Sequence, residues 1–230
     1  MNPKILSAIP LHFNLEQLRE KARIKEGSEH VGQLKALLAQ AQAIGKPKAC
    51  YRPAFIESRA EEQVTIDGIR LTSRVLCVNL EGIHRVFPYV ATCGLELEEW
   101  SRSFDDILQK YWADMIKEMA LRTAFQYLHD HLLEQYRLMR LSRMNPGSLA
   151  DWPLPEQRPL FALLGDGPGS IGIQLTDSFL MAPVKSVSGL WFPTEKSFES
   201  CQLCPRESCP DRRAPYDPHL FDRQYRKKRE

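Results

Sequence analysis

The chain has 230 residues, with 31 Lys and Arg against 29 Asp and Glu and a formal net charge of +2. That length is enough to bury the core of one domain with a small appendage. The near balance of charge gives no general attraction for nucleic acid, and no apolar run reaches the roughly 18 residues of a membrane span. The N-terminal "MNPKILSAIPLHFNLEQL" has neither a long apolar run nor a small-residue cleavage site, so a cytoplasmic protein without a membrane partner is expected. In that reducing setting clustered thiols read as metal ligands rather than disulfides. The basic end "RQYRKKRE" reads as a solvated charge run.

Taken in chain order, Leu15, Leu18 and Ala22 predict a short helix capped by Asn14. A second helix is expected over Glu29 to Ile44, with Ser28 at its start, Val31, Leu34, Leu37, Leu38 and Ala41 as its stripe, and Gly45 with Pro47 at its end. The period then drops to two. Val64, Ile66, Ile69 and Leu71 flank Asp67-Gly68, a strong hairpin signal. Strands are expected at "RVLCVNL" and "RVFPYVATCG", a short helix at "LELEEW", and a long helix from about Phe104 to Leu141. A loop rich in Pro and Gly follows, then three short apolar runs read as strands: "LFALLG", "SIGIQLTD" and "KSVSGLWF". Strands that do not alternate regularly with helices argue α+β, with a twisted, largely antiparallel sheet flanked by helices. The expected organisation is a helical arm over 1–58, an α+β core over 59–195 and a cysteine-rich tail over 196–230.

The tail carries the sharpest chemical signal. In "CQLCPRESCPDRR", Cys201, Cys204 and Cys209 follow a C-x2-C-x4-C spacing, which lets two thiolates of one turn reach a common metal. An iron–sulfur cluster is favoured, with zinc as the alternative. Either wants a fourth ligand, for which Cys93 in "ATCG" and then His219 are the candidates. Arg206, Arg212 and Arg213 would offset thiolate charge. Cys50 and Cys77 read as buried thiols. His129 and His131 stand two apart on a helix, face different sides and make no metal pair. Glu96, Glu98 and Glu99 read as a first-turn charge run. No nucleophile–base pair or phosphate-binding glycine loop is present, so no catalytic residue is assigned. The cysteine spacing also differs from the C-x3-C-x2-C of radical S-adenosylmethionine enzymes.

Two further stretches matter together. In "RMNPGS", Arg143 precedes a Pro146-Gly147 turn, and an arginine there could hold a carboxylate. In "LTDSFLMAPVKSVSGLWF", Ser186, Ser188 and Gly189 put small residues on a strand. Taken as a pair, they resemble the activation domain of cobalamin-dependent methionine synthase. In that family an R-x-x-P-G-Y loop and an L-T-x-S-F-x-M-x-P-x-x-S-V-S-G strand line the S-adenosylmethionine site. The resemblance spans roughly residues 60–192 and implies an α+β module that binds S-adenosylmethionine and docks on a cobalamin-binding module. It implies that Arg143 holds the methionyl carboxylate, Pro146 and Gly147 shape the adenosine-facing loop, and Ser186, Ser188 and Gly189 form a wall. The expected role is reductive activation, in trans, of a methionine synthase or another corrinoid methyltransferase. The cluster would relay electrons from a donor such as ferredoxin or flavodoxin. The alternative is a non-catalytic corrinoid-protein binding module or chaperone with structural zinc. Ser148 stands where the family has tyrosine, and the cysteine tail lies outside the family's domain.

Overall fold

The computed structural model describes residues 2–195 and 198–226. The basic residues Lys227, Lys228 and Arg229 lie outside the described residues. Among the described residues ten strands, β1 (Lys4–Leu6), β2 (Lys48–Tyr51), β3 (Ala54–Arg59), β4 (Gln63–Ile66), β5 (Ile69–Thr72), β6 (Arg85–Thr92), β7 (Leu141–Met144), β8 (Gln174–Leu175), β9 (Met181–Ala182) and β10 (Ser186–Pro193), combine with seven α-helices. The helices are α1 (Leu15–Lys21), α2 (His30–Ile44), α3 (Arg74–Asn79), α4 (Leu95–Arg102), α5 (Ile107–Tyr136), α6 (Gln157–Leu164) and α7 (Gly167–Ser170).

The main sheet is built around β6. One edge of β6 takes β2 and then β3, interrupted near Pro53; the other takes β10 in the register Ser186↔Thr92 through Trp191↔Phe87. Outside these lie β1 on β2, the β4–β5 hairpin on β3, and β7 on β10, every pairing antiparallel. Residues 1–58, expected as a helical arm, therefore also give the sheet three strands. The α+β expectation with an antiparallel sheet holds.

Period-two alternation decides what each face touches. Tyr51, Phe87, Tyr89, Ala91 and Trp191 meet Ala124, Leu128 and Leu132 of α5. Cys50 and Val90 face Leu164, Ile171 and Ile173, near α6 and α7, on the other side. Helices α1, α2 and α4 pack on the first half of α5 through Leu18, Leu34, Leu38 and Leu97 against Trp112 and Ile116. The Asp106 carboxylate accepts from the Gln109 N–H to start α5, and Arg137 in the left-handed region (φ 51°) ends it. That is shorter than Phe104 to Leu141 at both ends.

Local caps bear out some expectations and correct others. Asn14 accepts from the N–H groups of Glu16 and Gln17. The Ser28 hydroxyl accepts from the His30 N–H, where α2 begins. "RVLCVNL", expected as a strand, forms helix α3. The Ser73 hydroxyl accepts from the Leu76 N–H, and the Asp151 carboxylate accepts from the N–H groups of Arg74 and Val75 and from the Ser73 hydroxyl. "LFALLG" is likewise helical, as most of α6. "SIGIQLTD" is only the end of α7, a turn and the two residues of β8.

Candidate functional site

The sheet register brings the two motif stretches together. Trp191 of β10 pairs with Arg143 of β7, so the loop after Met144 emerges beside Ser188 and Gly189. There is no room for a side chain on Gly189. A Cβ would meet Asn145 Nδ2 and the Met144 carbonyl oxygen at 2.5 Å and the Tyr89 hydroxyl at 2.9 Å. Through that close approach Asn145 donates to the Tyr89 hydroxyl at 2.7 Å and to the Ser188 carbonyl at 2.6 Å. Gly147 takes a positive φ of 82° and its N–H donates to the Trp152 carbonyl at 2.7 Å, which closes the turn.

A cleft of about 890 Å³ opens over this junction. Its lining includes Arg143, Pro146, Gly147, Ser148, Ser186 and Ser188, with Gly189 packed just behind. The opposite wall is Leu121, Arg122 and Phe125 of α5, and the rim is Pro210 to Arg213 of the tail. Such a volume suits a ligand of nucleoside size. The two serines build the wall rather than present free hydroxyls. Ser188 donates to Gln157 Oε1 at 2.7 Å, and Ser186 donates to the Pro183 carbonyl at 2.8 Å with the Thr92 hydroxyl 3.0 Å away.

Arg143 is the polar group of the cleft with least protein support. Its guanidinium lies 4.4 Å from the Phe125 ring centroid and 5.1 Å from that of Trp191. No hydrogen bond or ion pair holds it among the described residues. Burial pushes its pKa below the ordinary value, and nearby Arg213 adds to that. A guanidinium stays charged nonetheless, so this stacked cation is available to a carboxylate. Burial also pushes the Tyr89 hydroxyl up to about 12, which keeps it a neutral acceptor for Asn145.

Cys201, Cys204 and Cys209 are half-buried free thiols, whereas Cys93 is fully buried among α2, α4 and α5 side chains. Among the described residues no three His, Cys, Asp or Glu side chains come together to hold a metal ion. The expected ligand set of Cys201, Cys204, Cys209 and Cys93 is thus not assembled, and His219 does not complete it either. A different group shapes this loop. Arg212 donates to the carbonyls of Cys201 at 3.1 Å, Cys204 at 3.4 Å and Ala214 at 3.5 Å, and also to that of Arg206. Arg213 pairs with Glu199 at 2.7 Å, and Arg122 of α5 pairs with Asp211.

Sequence reasoning missed several cleft residues. Asn145 and Gln157 both look like ordinary loop polars. Phe125 falls on the apolar stripe of the long helix, and Arg213 reads only as a counter-charge to thiolates. Asn145 alone had a signal, since it sits inside the quoted turn.

A twisted antiparallel sheet backed by one long helix, with a cleft where a stacked arginine meets a glycine-bearing strand, defines an α+β module with a nucleoside-sized cleft. Residues 101–204 match the family model "Vitamin B12 dependent methionine synthase, activation domain". That range, a little under half of the chain, contains both of the motif stretches that resemble the family. A crystal structure of the MetH reactivation domain bound to AdoHcy is similar in fold, with TM-score 0.59 and 18% identity, covering 87% of this chain and 81% of that one. No curated protein matches. Among the described residues no helix is long and apolar enough to cross a membrane.

Proposed function

We propose that the Arg143 cleft binds S-adenosylmethionine and that the chain serves the reductive activation of a cobalamin-dependent methyltransferase, a methionine synthase or another corrinoid protein. The observation that carries this reading is the unpaired, ring-stacked guanidinium of Arg143 beside the close-packed Gly189 strand, in a cleft of nucleoside size. The family match and the AdoHcy in the similar reactivation domain point the same way. Reactivation requires one electron for the oxidised corrinoid and a methyl group from S-adenosylmethionine; the corrinoid arrives with the partner's cobalamin-binding module. This chain's residues would bind and orient. Arg143 would pair with the methionyl carboxylate, a charge-assisted bond that strengthens as water is excluded. The Pro146-Gly147 turn and the Ser186 to Ser188 wall would hold the nucleoside.

Isothermal titration with S-adenosylmethionine and S-adenosylhomocysteine tests the binding. Micromolar or tighter affinity that Arg143→Ala abolishes is expected, and no heat with wild type refutes it. Transfer of a labelled methyl group to the cobalamin of a partner module, dependent on a reductant, tests the activity. Binding without transfer leaves the scaffold reading. A further electron relay from ferredoxin or flavodoxin through a cluster on Cys201, Cys204 and Cys209 has only their spacing behind it and requires the tail to draw together thiols that the fold leaves ungathered. Iron and sulfide in the anaerobically purified protein test it; stoichiometric zinc alone favours a structural clasp.

A further inference from the structure

We propose that Arg213, in the C-terminal segment, is a binding residue: with Arg143 it forms a two-guanidinium clamp for the carboxylate of an amino-acid-bearing nucleoside. The inference rests on the reading of the cleft given above. It names a contact beyond residues 101–204, the part that matches the family model.

The local charges carry it. Arg143, Arg213, Arg212 and Arg122 all border the cleft, Arg212 with its guanidinium given over to carbonyls of the tail. Arg122 is already satisfied by Glu118 and Asp211, and Glu118 is shared with Lys185. That leaves Arg143 and Arg213 on the same cleft with, among the described residues, one carboxylate paired to them, Glu199, which Arg213 engages through Nε. Two guanidinia against one carboxylate leave an excess positive charge at this end of the cleft, where a second anionic group fits. The position of Arg213 is preset. Its neighbour Arg212 grips the carbonyls of Cys201, Cys204, Arg206 and Ala214, and Asp211 is tied to α5 through Arg122. A cation held in place before the ligand arrives loses little freedom on binding. The competing role is a latch, in which Arg213 serves only to tie the tail to Glu199.

The two roles predict opposite results. In titrations of the full chain, Arg213→Ala should weaken S-adenosylhomocysteine about 10- to 100-fold, the usual loss for one charge-assisted bond. It should leave 5′-methylthioadenosine, which has no carboxylate, unchanged. Arg213→Lys should recover part of the loss. Glu199→Gln should tighten S-adenosylhomocysteine several-fold by freeing Arg213 from its competitor, with melting curves reporting that each variant is folded. A latch would instead make Glu199→Gln and Arg213→Ala weaken binding alike. That result, unchanged binding in Arg213→Ala, or equal losses for both nucleosides overturns the clamp while the cleft reading stands. Absence of binding by wild type removes the cleft reading and the clamp with it.

Discussion

Replacing Gly189 by alanine tests the junction on which the cleft is built. The added Cβ would sit 2.5 Å from two atoms, one of them the Met144 backbone oxygen, and 2.9 Å from the Tyr89 hydroxyl. Relief requires β10 and the loop after Met144 to part, or Asn145 to turn away from its two acceptors. Overpacking of this kind costs about 1–3 kcal/mol, and each weakened hydrogen bond adds about 1 kcal/mol. Removing a glycine from the unfolded chain returns about 0.4–1 kcal/mol. The balance is a destabilisation of about 2–3 kcal/mol. For a chain of this size that lowers Tm by about 4–12 °C. Circular dichroism melting measures it, with Gly169→Ala in α7 as the comparison, since nothing lies within 4 Å of a Cβ there. Gly169→Ala should melt at or slightly above wild type. A Gly189→Ala protein that did the same would refute the claim that backbone approach at β10 shapes the site.

Other perturbations probe separate parts of the molecule. Asp151→Ala removes the carboxylate that caps α3 from 76 and 77 residues away, and should cost about 2 kcal/mol in urea unfolding while leaving nucleoside affinity intact. Glu98→Gln strands Lys117, its partner at 2.9 Å under the α4–α5 contact, and should cost about 3–5 kcal/mol; adding Lys117→Met should recover much of it. Burial pushes the Cys50 and Cys93 thiols up to about 12, so the unfolded chain ionises first. Their stabilising effect is complete below an ordinary thiol pKa of 9.0 and is lost as pH rises from there toward 12. Urea titrations above pH 9 should therefore lose about 2.7 kcal/mol per pH unit from this pair, and a flat profile would refute it. Native iodoacetamide labelling read by mass spectrometry should mark Cys201, Cys204 and Cys209 and spare Cys50, Cys77 and Cys93.

Signals short enough to be settled by neighbours in sequence were legible. The Asp67-Gly68 hairpin, the Asn14 cap, the long stripe of α5 and strands β6 and β10 all follow from local periodicity and turn chemistry. The motif pair was legible too, because the register of β7 on β10 turns two separate stretches into one wall. Short apolar runs were not. "RVLCVNL" has β-branched residues that suit a strand, yet Ser73 and the distant Asp151 supply the N-terminal hydrogen bonds of a helix. "LFALLG" has too few residues for its period to separate helix from strand, and packing beneath the sheet decides it. The tail illustrates another limit. Cysteine spacing states what one turn could bring together, whereas the fold places Cys93 in a different core and gives the turn's carbonyls to Arg212.

The walls of the cleft come from stretches near residues 120, 145, 187 and 212. On the ribosome, where synthesis runs from the N-terminus, the sheet and its long helix can assemble well before the last of those walls emerges. A polypeptide halted ahead of Asp211 would have an open-sided pocket, and would also lack Tyr225, which is buried against α3 in the core. Occupancy would then report that translation had passed that point, and a bound nucleoside would hem the late-made segment to the early-made one.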